Sequence, residues 1–292
     1  SDSWNKSVLK RGKVVSDLNY QLEKNRISDI LFNNGYYFFD PSLIGPLIAD
    51  SIGHEVNVAF RMNETDDRKV VQRYKIGRVN IHSDFDQNYS KLYNLDTTIN
   101  NYRFLQISPR FRVKPSTILR YIYLKSGDYY SKANFTRTYR QLNRLGLFRY
   151  INVNQTIDDI DTTLLNVDLY LPPAKTLDIS YNLDFGYVNL RTSAVAIPAT
   201  ILGQVGASVI KRNLFNGGEA LRTNASAGYE TSFNKAVNRI DLKLHNSLSF
   251  PRFMDFLGIV SGLKRVKTSK GPLLPKSFIE TLEDRVTTNI TM

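Results

Sequence analysis

The C-terminal part of the chain alternates apolar and polar residues, and this pattern limits the possible folds more than any other feature. The alternation covers four stretches, of which the first is Asp178–Tyr187 and the last is Arg239–Phe250. Because strand side chains point to opposite faces with a period of two, each stretch predicts a strand with one apolar and one polar face. Strands of about ten residues with such faces are typical of a water-filled transmembrane β-barrel. An ordinary antiparallel sheet over a soluble core is the alternative, and the alternation does not decide between them.

Two more strands are predicted between these stretches. They are Gly203–Arg212 and Glu219–Glu230, and Asn216-Gly217-Gly218 between them suits a hairpin turn. Residues 251–283 break the rhythm and are expected to form a long loop, while Thr287–Met292 is expected to begin a fifth strand. This part of the chain therefore predicts an antiparallel sheet of consecutive strands.

The composition excludes several kinds of site. The 292 residues include no cysteine, which excludes disulfides and thiolate metal sites, and they suffice for about two domains. The net charge of +12 is concentrated in residues 103–149, where eleven Lys and Arg residues face one acid, Asp128. Such a stretch suits anionic lipid, nucleic acid or an acidic protein, or else a solvated helical face. Because no zinc-finger, RNP or KH pattern accompanies the charge, no nucleic-acid partner is expected.

The N-terminal part mixes helical and extended patterns. The spacing of apolar residues predicts helices over 14–34, from Pro115 and from Ser131. It predicts strands over 54–62, 74–82, 147–153 and 164–171, and a short strand-like segment at 36–39. Residues 41–51 and 83–103 are expected to be connections. Helical spacing disappears after Pro172-Pro173, which places a boundary near residue 174. The expected core residues of 74–172 are Ile118, Ile122, Leu142, Leu145, Val153, Val167 and Leu169.

An internal repeat organises this part. Residues 74–172 read as strand, helix, helix, strand, strand, and residues 14–62 read as the last three of these elements. The phrases ISDILFNNGYYFFD and YRQLNRLGLFRYINV correspond, since each has a helix, a glycine, an aromatic residue and an extended run. A repeat is the favoured interpretation, and chance similarity of two α+β segments is the alternative.

These phrases carry a resemblance to a known family. The unit that ends in NRLGLFRYINV and LLNVDLYL resembles a POTRA domain, and LDISYNLDFGYV, RNLFNGGE and LHNSLSFPRF resemble the first barrel strands of the BamA/TamA superfamily of outer-membrane assembly proteins, with TamA-like, lipoprotein-type members most similar. The implied fold is α+β POTRA repeats, each with two helices on a three-stranded sheet, followed by the first strands of an antiparallel transmembrane β-barrel. The implied domains are a partial repeat over 1–73, a repeat over 74–173 with an insertion at 83–113, and barrel strands over 174–292. A superfamily barrel has about sixteen strands and about four or five fit here, so a fragment is expected.

The resemblance implies a function as well. A non-enzymatic factor that inserts β-barrels into the bacterial outer membrane is expected, with its repeats in the periplasm and no cofactor. The implied partners are outer-membrane lipid, unfolded outer-membrane protein clients, and periplasmic or inner-membrane proteins. A conduit for protein secretion or for lipid transfer between membranes is the alternative, and a wholly soluble adaptor is a third.

Four groups of candidate residues follow. A client strand is expected to add to the repeat edge formed by Phe148, Arg149, Tyr150, Ile151, Asn152, Val153 and Asn154. The resemblance implies a barrel seam along Thr176, Asp178, Ser180, Asn182, Asp184 and Gly186. Lipid-facing residues are expected to be Ile179, Tyr181, Leu183, Phe185, Leu242 and Leu244. Helical spacing places Arg137, Arg140 and Arg144 on one face, which suits an anionic lipid surface.

Patterns for catalysis or metal binding are weak. His54, His82 and His245 are scattered, without H-E-x-x-H, and neither G-x-S-x-G nor a P-loop occurs. The Asp158–Asp161 cluster lacks the glycine and distal glutamate of a calcium loop, so a solvated turn is favoured over a cation site. No catalytic, cofactor or metal residue is therefore predicted.

Overall fold

The computed structural model describes residues 6–52, 55–86, 93–188, 200–232, 238–255 and 258–265, together with the short pieces 267–268, 271–272, 274–275, 278, 282 and 287–292. The chain is α+β, with more sheet than helix. It divides into two units. The first unit comprises Ser1–Arg110, Leu119–Arg144 and Tyr150–Pro172, and the second comprises Phe111–Ile118, Leu145–Arg149 and Pro173–Met292. The second unit thus also includes Phe111–Ile118 and Leu145–Arg149, which lie within residues 74–173, the expected second repeat.

The first unit begins with helix α1 and a hairpin. Its elements, in order, are α1 (Asp17–Asn33), a 3-10 turn (Pro41–Leu43), β1 (Ile44–Ile52), β2 (Glu55–Met62), α2 (Arg68–Val71), β3 (Lys75–His82), β4 (Leu95–Ile99), β5 (Tyr102–Gln106), α4 (Lys132–Arg144), β6 (Asn152–Ile157) and β7 (Leu164–Tyr170). Helix α3 (Pro115–Leu119) comes between β5 and α4 in the chain, and all of it except Leu119 belongs to the second unit. Ser16 caps α1 by accepting a hydrogen bond from the backbone N–H of Asn19, and Gly35 follows the helix with a φ of 101°.

The main sheet of the first unit has five strands in the order β4-β5-β3-β7-β6, where three were expected. β3 runs parallel to β5 and β7, and the other pairs are antiparallel. The extra hairpin β4–β5 lies in residues 83–113, where a loop or insertion was expected. Its turn is made by Asn100 and Asn101, both with positive φ, a backbone that suits a two-residue hairpin. Two short strands with a polar turn leave too little periodicity to be recognised from sequence.

The two segments expected to be repeats have the same order of backbone elements. α1–β1–β2 and α4–β6–β7 each consist of a helix, a glycine with positive φ (Gly35 or Gly146) and an antiparallel hairpin. β1 occupies the region expected to be a connection. The aromatic segment 36–39 forms a turn rather than a strand, since Tyr37 N–H donates to the Gly35 carbonyl. Its rings pack edge-on against Tyr74 and Tyr130, which stabilises the turn.

The core expectation is largely confirmed. Ile118, Ile122, Leu142, Leu145, Val167 and Leu169 are buried. Val153 is half-buried because its strand, β6, lies at the edge of the sheet. The strand predicted over 147–153 begins only at Asn152.

The second unit is a meander. Its elements are β8 (Leu177–Val188), β9 (Thr200–Arg212), β10 (Ala220–Ser232), β11 (Asn238–Phe250), α5 (Ile259–Arg265), β12 (Lys267–Thr268), β13 (Gly271–Pro272) and β14 (Thr288–Thr291). Five of these form one antiparallel sheet in the order β14-β11-β10-β9-β8, and in the described part of the chain that sheet does not close on itself. The predicted strands and the β9–β10 hairpin are confirmed. Within the described residues, no helix is both long and apolar enough to cross a membrane.

Candidate functional site

The register of the second unit's sheet aligns the apolar series of its strands. Tyr181 lies opposite Ala207, which lies opposite Ala225, which lies opposite Leu244. The next row is Leu183, Val205, Ala227 and Leu242, and the row after it is Phe185, Gly203, Tyr229 and Ile240. The alternation seen in single strands therefore extends across four strands as one apolar face.

This apolar face is exposed. The exposed fraction is 81% for Tyr181, 78% for Phe185 and 77% for Leu242. Burying one such side chain is worth about 1.5–3 kcal/mol, so a contiguous face of them in water is strongly unfavourable. Ile179, Leu183 and Leu244, the other residues expected to face lipid, lie on the same face and are exposed as well.

The opposite face is polar and internally bonded. Its rows include Ser180, Ser208, Asn224 and His245, and then Asn182, Gly206, Ser226 and Lys243. Asp178 pairs with Arg212, Asn182 donates to Asp184 at 2.8 Å, and Arg239 pairs with Asp241 at 3.2 Å. This face is suited to water.

Strand β8 forms one edge of the sheet. Among the described strands it pairs only with β9, along Leu177 to Val188. The seam candidates Asp178, Ser180, Asn182, Asp184 and Gly186 all lie on the polar face of this edge strand. Thr176 precedes it, and the Thr176 carbonyl accepts a hydrogen bond from Arg212 N–H at 2.7 Å.

A second strand edge lies in the first unit. β6 pairs only with β7 among the described strands, so Asn152, Val153 and Asn154 lie on an edge that continues to Ile157. The other candidates precede the strand: Phe148 and Ile151 are buried, while Arg149 and Tyr150 are exposed. Phe148 makes an isolated antiparallel bridge to Pro173.

The three arginines of α4 have different surroundings. The guanidinium of Arg137 lies 3.9 Å from the centre of the Tyr123 ring, a cation–π contact. Arg140 and Arg144 are exposed, and the buried side of the helix is formed by Phe135, Thr138 and Leu142. Two of the three arginines therefore present their side chains to solvent.

A polar cluster that sequence reasoning missed surrounds His82. His82 is only 5% exposed; its Nδ1 lies 2.6 Å from the Tyr93 hydroxyl, its Nε2 lies 3.0 Å from Asp168 Oδ1, and its ring stacks on Tyr170. The hydrogen bond with His82 lowers the pKa of Asp168, and burial raises the pKa of Tyr93 to about 12. The parallel pairing of β3 with β7 brings His82, Asp168 and Tyr170 together, and no local pattern indicates it. The tyrosine stays protonated, and the cluster serves as a structural network.

The aspartates of the β6–β7 turn accept hydrogen bonds from neighbouring residues of the same hairpin. Asp158 accepts hydrogen bonds from Ile160 N–H, Asp161 N–H and the Asn166 amide. The Asn166 bond, followed by the two backbone bonds, lowers the Asp158 pKa to about 2. In the part of the chain that is described, no group of three or more His, Asp or Glu residues is arranged to hold a metal ion. His54 lies outside the described residues.

Comparison with known proteins identifies similar solved structures only. No family model and no curated protein matches the chain. BamA from Haemophilus ducreyi lacking POTRA domains 1–3 aligns over 98% of this chain and 54% of that one, with 12% identity and a TM-score of 0.42. CdiB from Acinetobacter baumannii aligns over 84% and 36%, with 12% identity and a TM-score of 0.39. POTRA domains 3–5 of Haemophilus influenzae BamA align over 55% and 83%, with 14% identity and a TM-score of 0.19. The chain thus spans about half of the first of these proteins and about a third of the second.

Proposed function

We propose that the chain is part of an outer-membrane β-barrel assembly factor that acts without chemical catalysis. The observation that carries this proposal is the exposed apolar face of β8–β11, which lies opposite a polar face on the same strands. Lipid acyl chains cover the apolar face, and water covers the polar one. This arrangement fits the first strands of a transmembrane barrel in the bacterial outer membrane.

The edge of β8 supplies the assembly step. A strand edge has unpaired N–H and C=O groups, and an unfolded client can add a strand there through main-chain hydrogen bonds. In lipid these groups have no water to pair with, so a client strand that satisfies them is strongly favoured. Templating of this kind needs no nucleophile, acid or metal.

The edge of β6 supplies an earlier contact in the periplasm. Asn152 to Ile157 form this edge, because β6 is the outermost strand on one side of the five-stranded sheet. An extended client segment binds there by the same main-chain pairing. In this proposal residues 1–73 and 74–173 are the two periplasmic repeats and 174–292 are the barrel strands.

A second candidate, a conduit for secreted protein or for lipid, is favoured by the polar face. Its side chains include Asp184, Lys243, Asp241 and Glu230, which suit the wall of an aqueous lumen. Depletion of the protein in cells separates the two candidates. An assembly factor predicts loss of outer-membrane proteins first, whereas a lipid conduit predicts a changed lipid composition with those proteins retained.

Disulfide trapping tests the assembly proposal, since the chain has no cysteine of its own. Asp184→Cys places a thiol on the edge strand, and Ser226→Cys places one on the same face in the interior of the sheet. Both variants, reconstituted in phospholipid vesicles, are mixed with an unfolded outer-membrane barrel protein that carries one cysteine. The proposal predicts a crosslink from Asp184→Cys at a rate well above that from Ser226→Cys. Equal rates at the two positions, or none at either, would contradict templating at β8.

A further inference from the structure

The turn between β9 and β10 contains a chemically labile dipeptide. The chain has two Asn-Gly dipeptides, Asn34-Gly35 and Asn216-Gly217. Such a dipeptide is labile because glycine has no Cβ to hinder attack of its nitrogen on the asparagine side chain. Asn216 is exposed and has a φ of 61°, and it lies in the turn of the second unit. The turn is therefore a candidate site of covalent modification.

The modification is deamidation through a cyclic imide. The main-chain nitrogen of Gly217 loses its proton and attacks Cγ of Asn216. A new C–N bond closes the imide ring, the bond between Cγ and Nδ2 breaks, and the side-chain nitrogen leaves as ammonia, which carries away the proton that the Gly217 nitrogen lost. One water molecule then opens the ring and leaves aspartate or isoaspartate at position 216.

In the folded turn the attacking nitrogen is held by Glu219. Gly217 N–H donates a hydrogen bond to Glu219 Oε2 at 3.0 Å, and Phe215 N–H donates to the same oxygen at 3.3 Å. Only 6% of Glu219 is exposed, so water competes weakly for this carboxylate. Hydrogen bonds to charged groups are stronger than those between neutral groups. This bond must break before the Gly217 nitrogen can attack.

The charge of Glu219 opposes the reaction as well. Negative charge develops on the Gly217 nitrogen when it loses its proton. A carboxylate oxygen 3.0 Å away repels that charge, and the repulsion is strengthened by burial. The opposite role, removal of the proton by Glu219, does not suit a carboxylate, because it is far too weak a base for a main-chain amide.

The peptide group that joins Asn216 to Gly217 is fixed at both ends. Its N–H is bonded to Glu219, and its carbonyl oxygen accepts a hydrogen bond from Lys114 N–H at 2.8 Å. Attack requires this peptide group to rotate until its nitrogen reaches the Asn216 side chain. The two bonds resist that rotation, and of the two only the one to Glu219 occupies the attacking atom.

The other Asn-Gly dipeptide provides an internal reference. Nδ2 of Asn34 donates to the Ile30 carbonyl at 2.7 Å, which ties the side chain under attack to the last turn of α1. Asn34 and Gly35 belong to the first unit, whereas Glu219 belongs to the second. The reaction at position 34 therefore reports on solution conditions and does not depend on Glu219.

We propose that Asn216-Gly217 is a deamidation site and that Glu219 suppresses its reaction. Deamidation places a second carboxylate beside Glu219, and like charges so close together repel. Isoaspartate also lengthens the main chain at position 216, which displaces the carbonyl that Lys114 N–H needs. The modification thus loosens the segment before α3. The proposal is independent of the proposed function, since it requires neither a membrane nor a client.

Peptide mapping by mass spectrometry tests the site. The full chain in detergent micelles is incubated at mildly alkaline pH, and deamidation at positions 34 and 216 is compared with that of the chain unfolded in urea. In urea the two dipeptides are expected to react at similar rates. Folding is expected to slow position 216 by at least about tenfold, which corresponds to about 1.4 kcal/mol in the barrier. Equal rates at position 216 in the folded and unfolded chains would overturn the proposal.

Two substitutions of Glu219 assign the protection. Glu219→Gln keeps an acceptor oxygen and removes the charge, whereas Glu219→Ala removes both. The rate at position 216 should rise about three-fold in the glutamine variant and about tenfold in the alanine variant, while position 34 keeps its rate in both. A slower reaction in Glu219→Gln than in the unchanged chain would show that the carboxylate acts as a base, and it would overturn the proposal.

Asn213→Gly controls for a general loosening of the turn. It removes the bonds that the Asn213 side chain makes with Gly218 N–H and the Arg112 carbonyl, and it leaves the Gly217–Glu219 bond in place. Glycine also accepts the φ of 59° at this position. The rate at position 216 is expected to stay within about two-fold of the unchanged chain, because the protecting bond is intact. An acceleration as large as that in Glu219→Ala would assign the protection to the order of the turn and overturn the role of Glu219.

Discussion

Nε2 of His82 lies 3.0 Å from Oδ1 of Asp168, although the two residues are 86 positions apart in the chain. The parallel register of β3 and β7 creates this contact, since Asn80 pairs with Asp168 and His82 with Tyr170. Asn80 Nδ2 also donates to Asp168 at 2.9 Å. The carboxylate therefore joins two neighbouring strands on the face that carries the Tyr93–His82–Tyr170 cluster.

The Asp168 contact predicts a loss of stability in acid. The hydrogen bond with His82 lowers the pKa of Asp168, so the folded unit holds this proton less tightly than the unfolded chain does. Its contribution is complete above the ordinary carboxyl pKa of about 4 and is lost as the pH falls through the lowered value. Hydrogen–deuterium exchange of β3 and β7 in the full chain should show lower protection in Asp168→Asn than in the unchanged chain at neutral pH. The difference should shrink as the pH falls below about 4.

Asp159→Asn is the control at each pH, because Asp159 is an exposed aspartate in the nearby turn. It should exchange like the unchanged chain. A difference between Asp168→Asn and the unchanged chain that persists in acid would show that the carboxylate charge does not provide the stability.

Among the residues of helix α4, Leu142 is expected to cause the largest loss of stability when it is truncated. Its side chain is fully buried, and its neighbour Asn143 is exposed. Leu142→Ala should lower the free energy of unfolding by about 2–5 kcal/mol, from lost burial and from the cavity left behind. Asn143→Ala should change it by less than about 0.5 kcal/mol. Denaturant unfolding in detergent, followed by the helical circular dichroism signal, measures both; equal effects would mean that α4 does not pack as described.

Arginine substitution distinguishes the two faces of the second unit. Leu242 lies on the apolar face opposite Ala227, and Lys243 lies on the polar face opposite Ser226. In phospholipid vesicles Leu242→Arg should reduce the free energy of unfolding by roughly 2–4 kcal/mol if the residue lies near the bilayer centre, whereas Lys243→Arg should have little effect. Denaturant unfolding of the reconstituted chain measures the difference. Similar losses at the two positions would reject the proposal that one face contacts lipid.

The parts of the fold that were predictable depend on local periodicity. β8 and β11 were predicted because Ile179, Tyr181 and Leu183, or Leu242 and Leu244, alternate within a single strand. The register that places Tyr181 opposite Ala207 depends on the length and conformation of loops, which periodicity does not contain. β1 was missed because Pro46 and a bulge between Ile44 and Leu47 interrupt its pattern.

Some candidate site residues could likewise be predicted from local periodicity, and others could not. The residues of the apolar face follow from alternation alone. The contact between Arg112 and the β9–β10 turn was missed, because the Asn213 side-chain amide that donates to the Arg112 carbonyl lies 101 positions away in the chain. The His82 cluster was missed for the same reason. The edge at β6 was predicted a few residues too early, because aromatic residues at 148–151 have strand propensity but pack before the strand begins.

The turn between β9 and β10 carries the last prediction. Glu219 is buried, and its carboxylate accepts hydrogen bonds from Gly217 N–H at 3.0 Å and Phe215 N–H at 3.3 Å. The same turn holds the segment before α3, because Lys114 N–H donates to the Asn216 carbonyl at 2.8 Å.

Glu219→Ala leaves two backbone donors without their acceptor, and one unpaired buried group costs about 1–3 kcal/mol. Glu219→Gln keeps one acceptor oxygen, so it should lose clearly less. Thermal unfolding in detergent should rank the unchanged chain above Glu219→Gln and Glu219→Ala last, with faster exchange of the amides at 114–118 in the alanine variant. An alanine variant as stable as the unchanged chain would mean that the carboxylate does not hold the turn.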